Sequence, residues 1–466
     1  YNTDLCFEGL IYIQNQFLIH EKYNCIKLNK QPLEIFAFDL NPLPNLKMKL
    51  ISKDVSFQFE KLLKLIQPIL AIIIVLLLGR ISITSILFVG FGLVSYFIYL
   101  FDVVFNEDLP SRFSPFIYMA RGNDGLMFYG YGREILSYLS EGNIFMAFRG
   151  GIDIFFWMPG MRYFHSILMI VFGETFLGYI LLGILMPFII FSLLKNFFSE
   201  KISLILVWIF LFIPIFESFG FFHFYYMKLI AKGFGGTLGW ASLFVSLCLL
   251  LNKKNISLSQ NFISGFTAGT LLIIAVSCRP NIFPTVAILI VGFSFLYFIN
   301  NNRFKLMGII LGSANFFWLA IHNIYYGDEF FLITNSVASN LDVTFGMWLT
   351  FFSSLFSGSI NYSLLTIILN HVSIWIDYYE IWLIFCILSL MILLFKKNIN
   401  IEIKIISLSL LAGHSIYLFY PGVPRYTYGL WALSLIMMLV FLNEQTKLPL
   451  FLNFRSPRIN FMKYTL

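Results

Sequence analysis

The chain has 466 residues, of which 59% are hydrophobic and 12% charged, with a mean hydropathy of +0.82. Soluble domains hold about 45–50% apolar and about 25% charged residues, so these values exclude an ordinary soluble enzyme and indicate an all-α polytopic membrane protein. The net charge of +7 does not point to nucleic acid, because Lys and Arg collect in short loops between apolar runs, as topology signals do.

Residues 1–60 differ from the rest. "FEGLIYIQNQFLIH" and "EIFAFDLNP" are short β-rich runs broken by Asn and Pro, which predicts a small N-terminal β-rich domain. Cys6 and Cys25 both lie there and are candidates for a disulfide if the region is extracytoplasmic. Cys248, Cys278 and Cys386 lie inside apolar runs and read as packing residues. The chain opens on Tyr1 rather than Met, which reads as a fragment or processed form with no legible signal peptide.

Residues 61–446 then carry eleven candidate spans, near 63–79, 83–101, 175–196, 202–216, 236–252, 260–278, 283–300, 304–322, 379–395, 403–420 and 427–443. Each is long enough, or nearly so, to cross about 30 Å of hydrocarbon. Alternate short loops are basic: Arg80, then Lys195 with Lys201, Lys253 with Lys254, Arg303 with Lys305, and Lys396 with Lys397. A basic tail at 447–466 contains Lys447, Arg455, Arg458 and Lys463. The positive-inside rule therefore puts these loops and the C-terminus in the cytoplasm and residues 1–60 outside. The outer face then receives 102–174, 217–233, 323–378 and a smaller loop at 420–429. Abundant Phe, Ile, Lys and Asn suit an AT-rich bacterial genome, hence a bacterial inner membrane.

The first outer loop is the most informative. Over 125–141, Phe128, Tyr129, Ile135, Leu136 and Leu139 share one side of a helix, and Arg133, Glu134, Ser137, Ser140 and Glu141 share the other. Such a helix, bounded by Gly125 and Gly142, suits the membrane interface. Asp124 stands at its N-terminus, where the helix dipole favours an ionised carboxylate. It has two readings, a general base and a helix N-cap.

"NDGLMFYGYGREILSYLSEGN", then "MPGMRYFHSILMIVFGET", then a long apolar span resembles the first extracytoplasmic loop of GT-C glycosyltransferases, the class of aminoarabinose transferases and protein O-mannosyltransferases. In that class an acidic residue precedes a Tyr and an Arg-Glu helix, a glycine break follows, and a Pro-containing helix ends in Phe-Gly. Asp124, Tyr129, Arg133, Glu134, Gly142, Pro159, Phe172 and Gly173 stand at those places. The chain departs at Asp124-Gly125, where many members pair two acids, and at Met158-Pro159-Gly160, where Lys-Pro-Pro is usual.

The resemblance implies inverting transfer of a sugar from a polyprenyl-phosphate donor to a glycan, lipid or protein acceptor at the outer face. It implies no certain cofactor and leaves a divalent cation, Mg or Mn, open. Asp124 is the first choice as base, with Asp102, Glu107, Asp108 and Asp153 as rivals in the same loop. Glu217 is the second catalytic candidate, to orient the acceptor or hold a metal; the bland alternative is a solvated interfacial carboxylate. Arg133 falls within the matched helix, and His223, Lys228 and Lys232 are candidates for phosphate or sugar contacts. Lys228 and Lys232 also suit snorkelling to headgroups. Arg162, Arg279 and Arg425 fall near the outer face, where a planar fork suits phosphate and headgroup anchoring competes. Tyr325 is either a stacking platform for sugar or part of an interfacial belt.

No Gly-Lys-Ser/Thr phosphate loop, His-Glu-x-x-His or Cys-x-x-Cys occurs, which argues against a nucleotide-driven pump and a zinc hydrolase. The competing classes are a lipid or polysaccharide transporter or flippase, for which His414 beside Gly413 is the one mid-span oddity, and an O-antigen-type polymerase or ligase. A scaffold that only displays the N-terminal domain leaves the first outer loop without a purpose.

Overall fold

The structure is a computed structural model. Its described residues are 123–155, 159–173, 177–212, 214–216, 220–252, 257–330, 345–358, 362–415 and 424–446, with strand segments at 3–8, 11–13, 16–18, 24–27, 35–36 and 47–52 and a few positions between 69 and 92.

In the N-terminal region, β1 (Thr3–Glu8) pairs antiparallel with β4 (Asn24–Lys27) and β6 (Lys47–Ser52). β2 (Ile11–Ile13) pairs with β3 (Gln16–Leu18) and β5 (Ile35–Phe36). The β1–β4 register sets Cys6 opposite Cys25. The expected folding of 1–60 as one domain lies outside the described residues, as do the tail and most of the two spans expected before residue 102.

Most of the described residues from 123 on are helical. The first expected outer segment holds α1 (Asn123–Ser140), α2 (Ile144–Arg149) and α3 (Gly160–Phe172). Then come α4 (Leu177–Leu194), α5 (Glu200–Phe212), a small hairpin of β7 (Pro214–Phe216) and β8 (Gly220–Phe221), and α6 (Phe222–Ala231). Next are α7 (Gly236–Leu251), α8 (Leu258–Cys278), α9 (Phe283–Ile299), α10 (Arg303–Ser313) and α11 (Phe317–Gly327). The last four are α12 (Phe345–Phe356), α13 (Tyr362–Phe395), α14 (Ile401–Ser415) and α15 (Pro424–Thr446).

Among the described residues, five stretches are long and apolar enough to cross a bilayer: 177–194, 258–278, 280–299, 303–327 and 426–445. They fall on five of the expected spans; 303–327 joins α10 and α11 through a 3-10 turn at Ala314–Phe316. Within the third expected outer segment, 323–378, α13 begins at Tyr362 and continues unbroken to Phe395. No Gly or Pro interrupts that stretch, so nothing stops the helix.

Apolar side chains cover the inside and the outside of the bundle. Trp240, Phe244, Leu272, Leu289, Phe293, Leu410 and Trp431 form part of the core, while Val291, Phe295, Phe298, Ile310 and Ile321 point outward and are largely exposed. Such an exterior is stable only against lipid. Where α8 meets α10 the backbones touch: a Cβ on Gly265 would lie 2.4 Å from the Lys305 carbonyl oxygen, and one on Gly308 2.4 Å from that of Phe262. With Gly269 and Gly312 one turn further along, the pair uses the small-residue packing of helices in lipid, where dispersion must replace the hydrophobic effect.

At the opposite end from the first outer loop, Lys305 Nζ donates to the carbonyls of Leu249 (3.0 Å), Leu250 (3.3 Å) and Asn252 (3.3 Å). One of the expected topology cations therefore also satisfies the C-terminus of α7.

Candidate functional site

Residues 123–155 and 159–172 form a compact elbow. Gly142 ends α1 with φ +75°, and Asn143 starts α2 by accepting from the Met146 N–H at 3.1 Å. The amphipathic reading of α1 holds at its centre, where Tyr129 and Ile135 are buried and Arg133 and Ser137 exposed; Leu139, expected on the apolar side, is exposed. α1 crosses α3 closely at Gly132, since a Cβ there would meet the His165 Cβ at 2.9 Å.

Arg162 lies at the centre of the elbow and is fully buried. Its Nη1 donates to the Gly150 carbonyl at 2.8 Å, and its guanidinium sits 4.5 Å from the Tyr131 ring centroid and 5.1 Å from that of Phe155. Burial lowers its pKa to about 10, with Tyr131, Tyr163 and Glu134 opposing the shift, so it stays charged at neutral pH. Beside it, Tyr163 donates to the Phe148 carbonyl at 2.6 Å.

The elbow is fastened to the end of α11. The Phe155 N–H donates to Asn323 Oδ1 (2.9 Å), His322 Nε2 donates to the Arg149 carbonyl (3.0 Å), and Tyr326 donates to the Phe145 carbonyl (2.7 Å). The His322 ring stacks on Phe155 with centroids 3.6 Å apart. These contacts join segments about 170 residues apart in sequence and hold α2 and the following turn rigidly.

At the start of α1 a second cluster gathers. A Cβ on Gly125 would lie 2.1 Å from the Lys232 carbonyl oxygen and 3.1 Å from the Gly233 Cα, so the first turn of α1, bearing Asp124, rests on the turn between α6 and α7. That turn leads into α7, whose first residue Gly236 sits beside Arg279. The Arg279 guanidinium lies 4.7 Å from the Tyr426 ring centroid, and Asn281 Nδ2 donates to the Tyr426 carbonyl at 2.8 Å. Four segments expected on the outer face thus meet at one end of the bundle: the start of α1, the 232–236 turn, the link from α8 to α9, and the start of α15.

The candidates fare differently. Lys232 and Arg279 are half-buried; the Lys232 backbone lies against the first turn of α1 and Arg279 beside Gly236, while the side chains of Asp124, Lys228 and Arg425 lie outside the described residues. Glu217, Asp102, Glu107 and Asp108 lie outside them altogether. Arg133 is exposed, 6.0 Å from the Tyr129 ring centroid. Tyr325 is exposed too, packing edge-on against Phe145 and Tyr326. Asp153 pairs with Arg149 at 2.6 Å, which ties it to the elbow.

Two candidates need correction. Arg162 faces the interior instead of the surface, because aromatic rings and a carbonyl on three segments enclose it. His223 is also fully buried, near Tyr226, and burial lowers its pKa to about 3, so it is a neutral packing group and not an open phosphate contact.

Sequence reasoning missed His322, Asn323 and Trp240. His322 and Asn323 read as ordinary residues of a span, and only their adjacency at its end beside Tyr325 and Tyr326 hinted at a polar junction. Among the described residues no group of three or more His, Cys, Asp or Glu side chains is placed to hold a metal ion.

Comparison with protein-family models, curated proteins and solved structures finds no match to this chain.

Proposed function

We propose that the chain is a GT-C-type glycosyltransferase of a bacterial inner membrane, transferring a sugar from a polyprenyl phosphate to a cell-envelope glycan, lipid or protein on the outer face. Residues 1–60 form an extracytoplasmic β-rich domain, and all eleven expected segments span the membrane. The observation that supports the reading is the packing of the first turn of α1, which bears Asp124, on the Lys232–Gly233 backbone, in the turn that leads on to Gly236 and Arg279. In this reading Asp124, Lys232 and Arg279 serve one site that a donor's lipid tail reaches from the bilayer.

In this reading the acceptor hydroxyl attacks the anomeric carbon of the donor. A new carbon–oxygen bond forms as the bond to the phosphate oxygen breaks, the electron pair leaves with the phosphate, and the acceptor proton passes to the Asp124 carboxylate. A phosphate leaving group is weakly basic, so cations assist it more than a proton does. Inversion follows from single displacement. Glu217, on the neighbouring outer segment, orients the acceptor. Lys228, Lys232, Arg279 and Arg425 face the phosphate, and Arg133 and Tyr325 line the approach.

The test is complementation. A deletion strain receives full-length wild type or Asp124→Asn, protein amounts are matched, and surface glycans are read by mass spectrometry. Loss of one glycan modification with Asp124→Asn at normal abundance is the expected result. Unchanged glycans in the deletion itself end the glycosyltransferase reading and bring transport forward. A change in the deletion alone moves the base to Asp102, Asp153 or Glu217.

A further inference from the structure

The N-terminus of α7 is buried and lacks a side-chain cap, because the residue before it is Gly235, and no acidic residue stands in its first turn. Within that turn the Thr237 N–H donates to the Phe234 carbonyl at 3.2 Å, and the helix dipole favours an anion beside the turn's other N–H groups. A second, independent feature lies at the same place. Trp240 is completely buried, and its indole Nε1–H has no hydrogen-bond partner among the described residues. A buried indole donor left unpaired costs free energy unless a ligand or water accepts from it.

The two features lie close together. A Cβ built on Gly236 would lie 3.3 Å from Trp240 Nε1, 3.3 Å from Arg279 Nε and 3.5 Å from Arg279 Nη2. Three N–H donors from two side chains thus bracket a bare α-carbon at the first residue of a helix. Gly429 lets the indole take this position, since any Cβ there would strike the Trp240 ring at 2.1 Å. Tyr426 lies against the Arg279 guanidinium on another side, and Lys232 stands four residues before Gly236. Donors arriving from an arginine fork, an indole and a helix start surround a tetrahedral oxyanion better than a planar carboxylate.

We infer that Gly236, Trp240 and Arg279 form an oxyanion notch that binds a phosphate group at the outer end of the bundle. That the phosphate belongs to a polyprenyl donor rests on the function proposed above; the notch itself does not. Trp240 is the new element, a neutral donor that fixes one phosphate oxygen while Arg279 supplies the charge.

The test measures binding and needs no sugar transfer. Full-length protein in phosphatidylcholine nanodiscs is titrated with radiolabelled polyprenyl phosphate, with inorganic phosphate and phosphatidylglycerol as competitors. Gly236→Ala places a methyl group among the three donors without penalising the helix, and Trp240→Phe removes the indole N–H. Both are expected to weaken binding by about tenfold or more, the scale of a hydrogen bond to a charged group, with melting temperatures near wild type. If one variant fails to fold, the other decides.

Binding to wild type that is unchanged in a folded variant overturns the notch, as does failure of all three phosphate compounds to bind. Competition by inorganic phosphate shows that the phosphate group itself is recognised. If phosphatidylglycerol binds through Gly236 and Trp240 while polyprenyl phosphate does not, the notch stands as a lipid-headgroup site and the donor reading falls.

Discussion

Arg162 and Arg279 are two arginines assigned to the same outer face, and the molecule treats them in opposite ways. Arg162 is enclosed by Tyr131, Phe155 and the Gly150 carbonyl and has no access to solvent. Arg279 is half-buried over Tyr426, beside an indole N–H with no hydrogen-bond partner among the described residues and a helix start with no side-chain cap. The elbow around Arg162 is a closed polar network, and such networks rigidify what they hold. Beside Arg279 the Trp240 N–H is unpaired among the described residues, and an unpaired donor at a helix start is what the proposed ligand would meet. An arginine's residue type says little about its task; the tally of donors and acceptors around it says more.

The contrast can be broken at several points. The largest effect is expected for Arg162→Ala, which empties a packed site and strands the Gly150 carbonyl. A loss of about 2–4 kcal/mol, seen as a much lower melting temperature or loss of the monodisperse peak in detergent, is expected. A melting temperature equal to wild type would show that the elbow does not depend on this residue.

Acid sensitivity gives the next effect. His223 is held neutral with a pKa near 3, against about 6.5 in an unfolded chain. Above pH 6.5 neither state binds the proton, so His223 adds no pH dependence. Between pH 6.5 and 3 the unfolded chain gains a proton that the folded one refuses, and stability falls as pH falls, by up to about 1.4 kcal/mol per pH unit. His223→Phe should flatten the decline of melting temperature below pH 6.5 and leave the slope above it unchanged; equal slopes in both proteins would place His223 in water.

The smallest effect sharpens the comparison. Arg279→Ala should cost about 0.5–1 kcal/mol, the worth of a partly exposed cation–π contact, although it abolishes the proposed phosphate binding. If its melting temperature falls as far as that of Arg162→Ala, the two arginines are structural alike and the distinction fails.

Several features were legible in the residues. The amphipathic helix expected over 125–141 forms over 123–140, because its apolar residues recur at helical spacing and Gly142 supplies the left-handed stop. Apolar length located the five spans at 177–194, 258–278, 280–299, 303–327 and 426–445. The third outer segment, expected over 323–378, contains the start of α13 at Tyr362, because no Gly or Pro follows to break the helix. His371 is buried within α13. The notch was illegible for another reason. Gly236 and Trp240 lie one turn apart on α7 but Arg279 stands on the link after α8, and no local period joins the two segments.

By itself the sequence determined the membrane class, the alternation of basic and polar loops, and the local helices. Each depends on hydrophobicity or backbone preference within a few turns of chain. Tertiary structure decided that Arg162 and His223 turn inward, that the elbow docks on His322 and Asn323, and that Trp240 meets Arg279 above Gly236. Those outcomes depend on which helix ends share space. Burial, and with it charge state and hydrogen-bond supply, is set by neighbours that the chain brings from more than a hundred residues away.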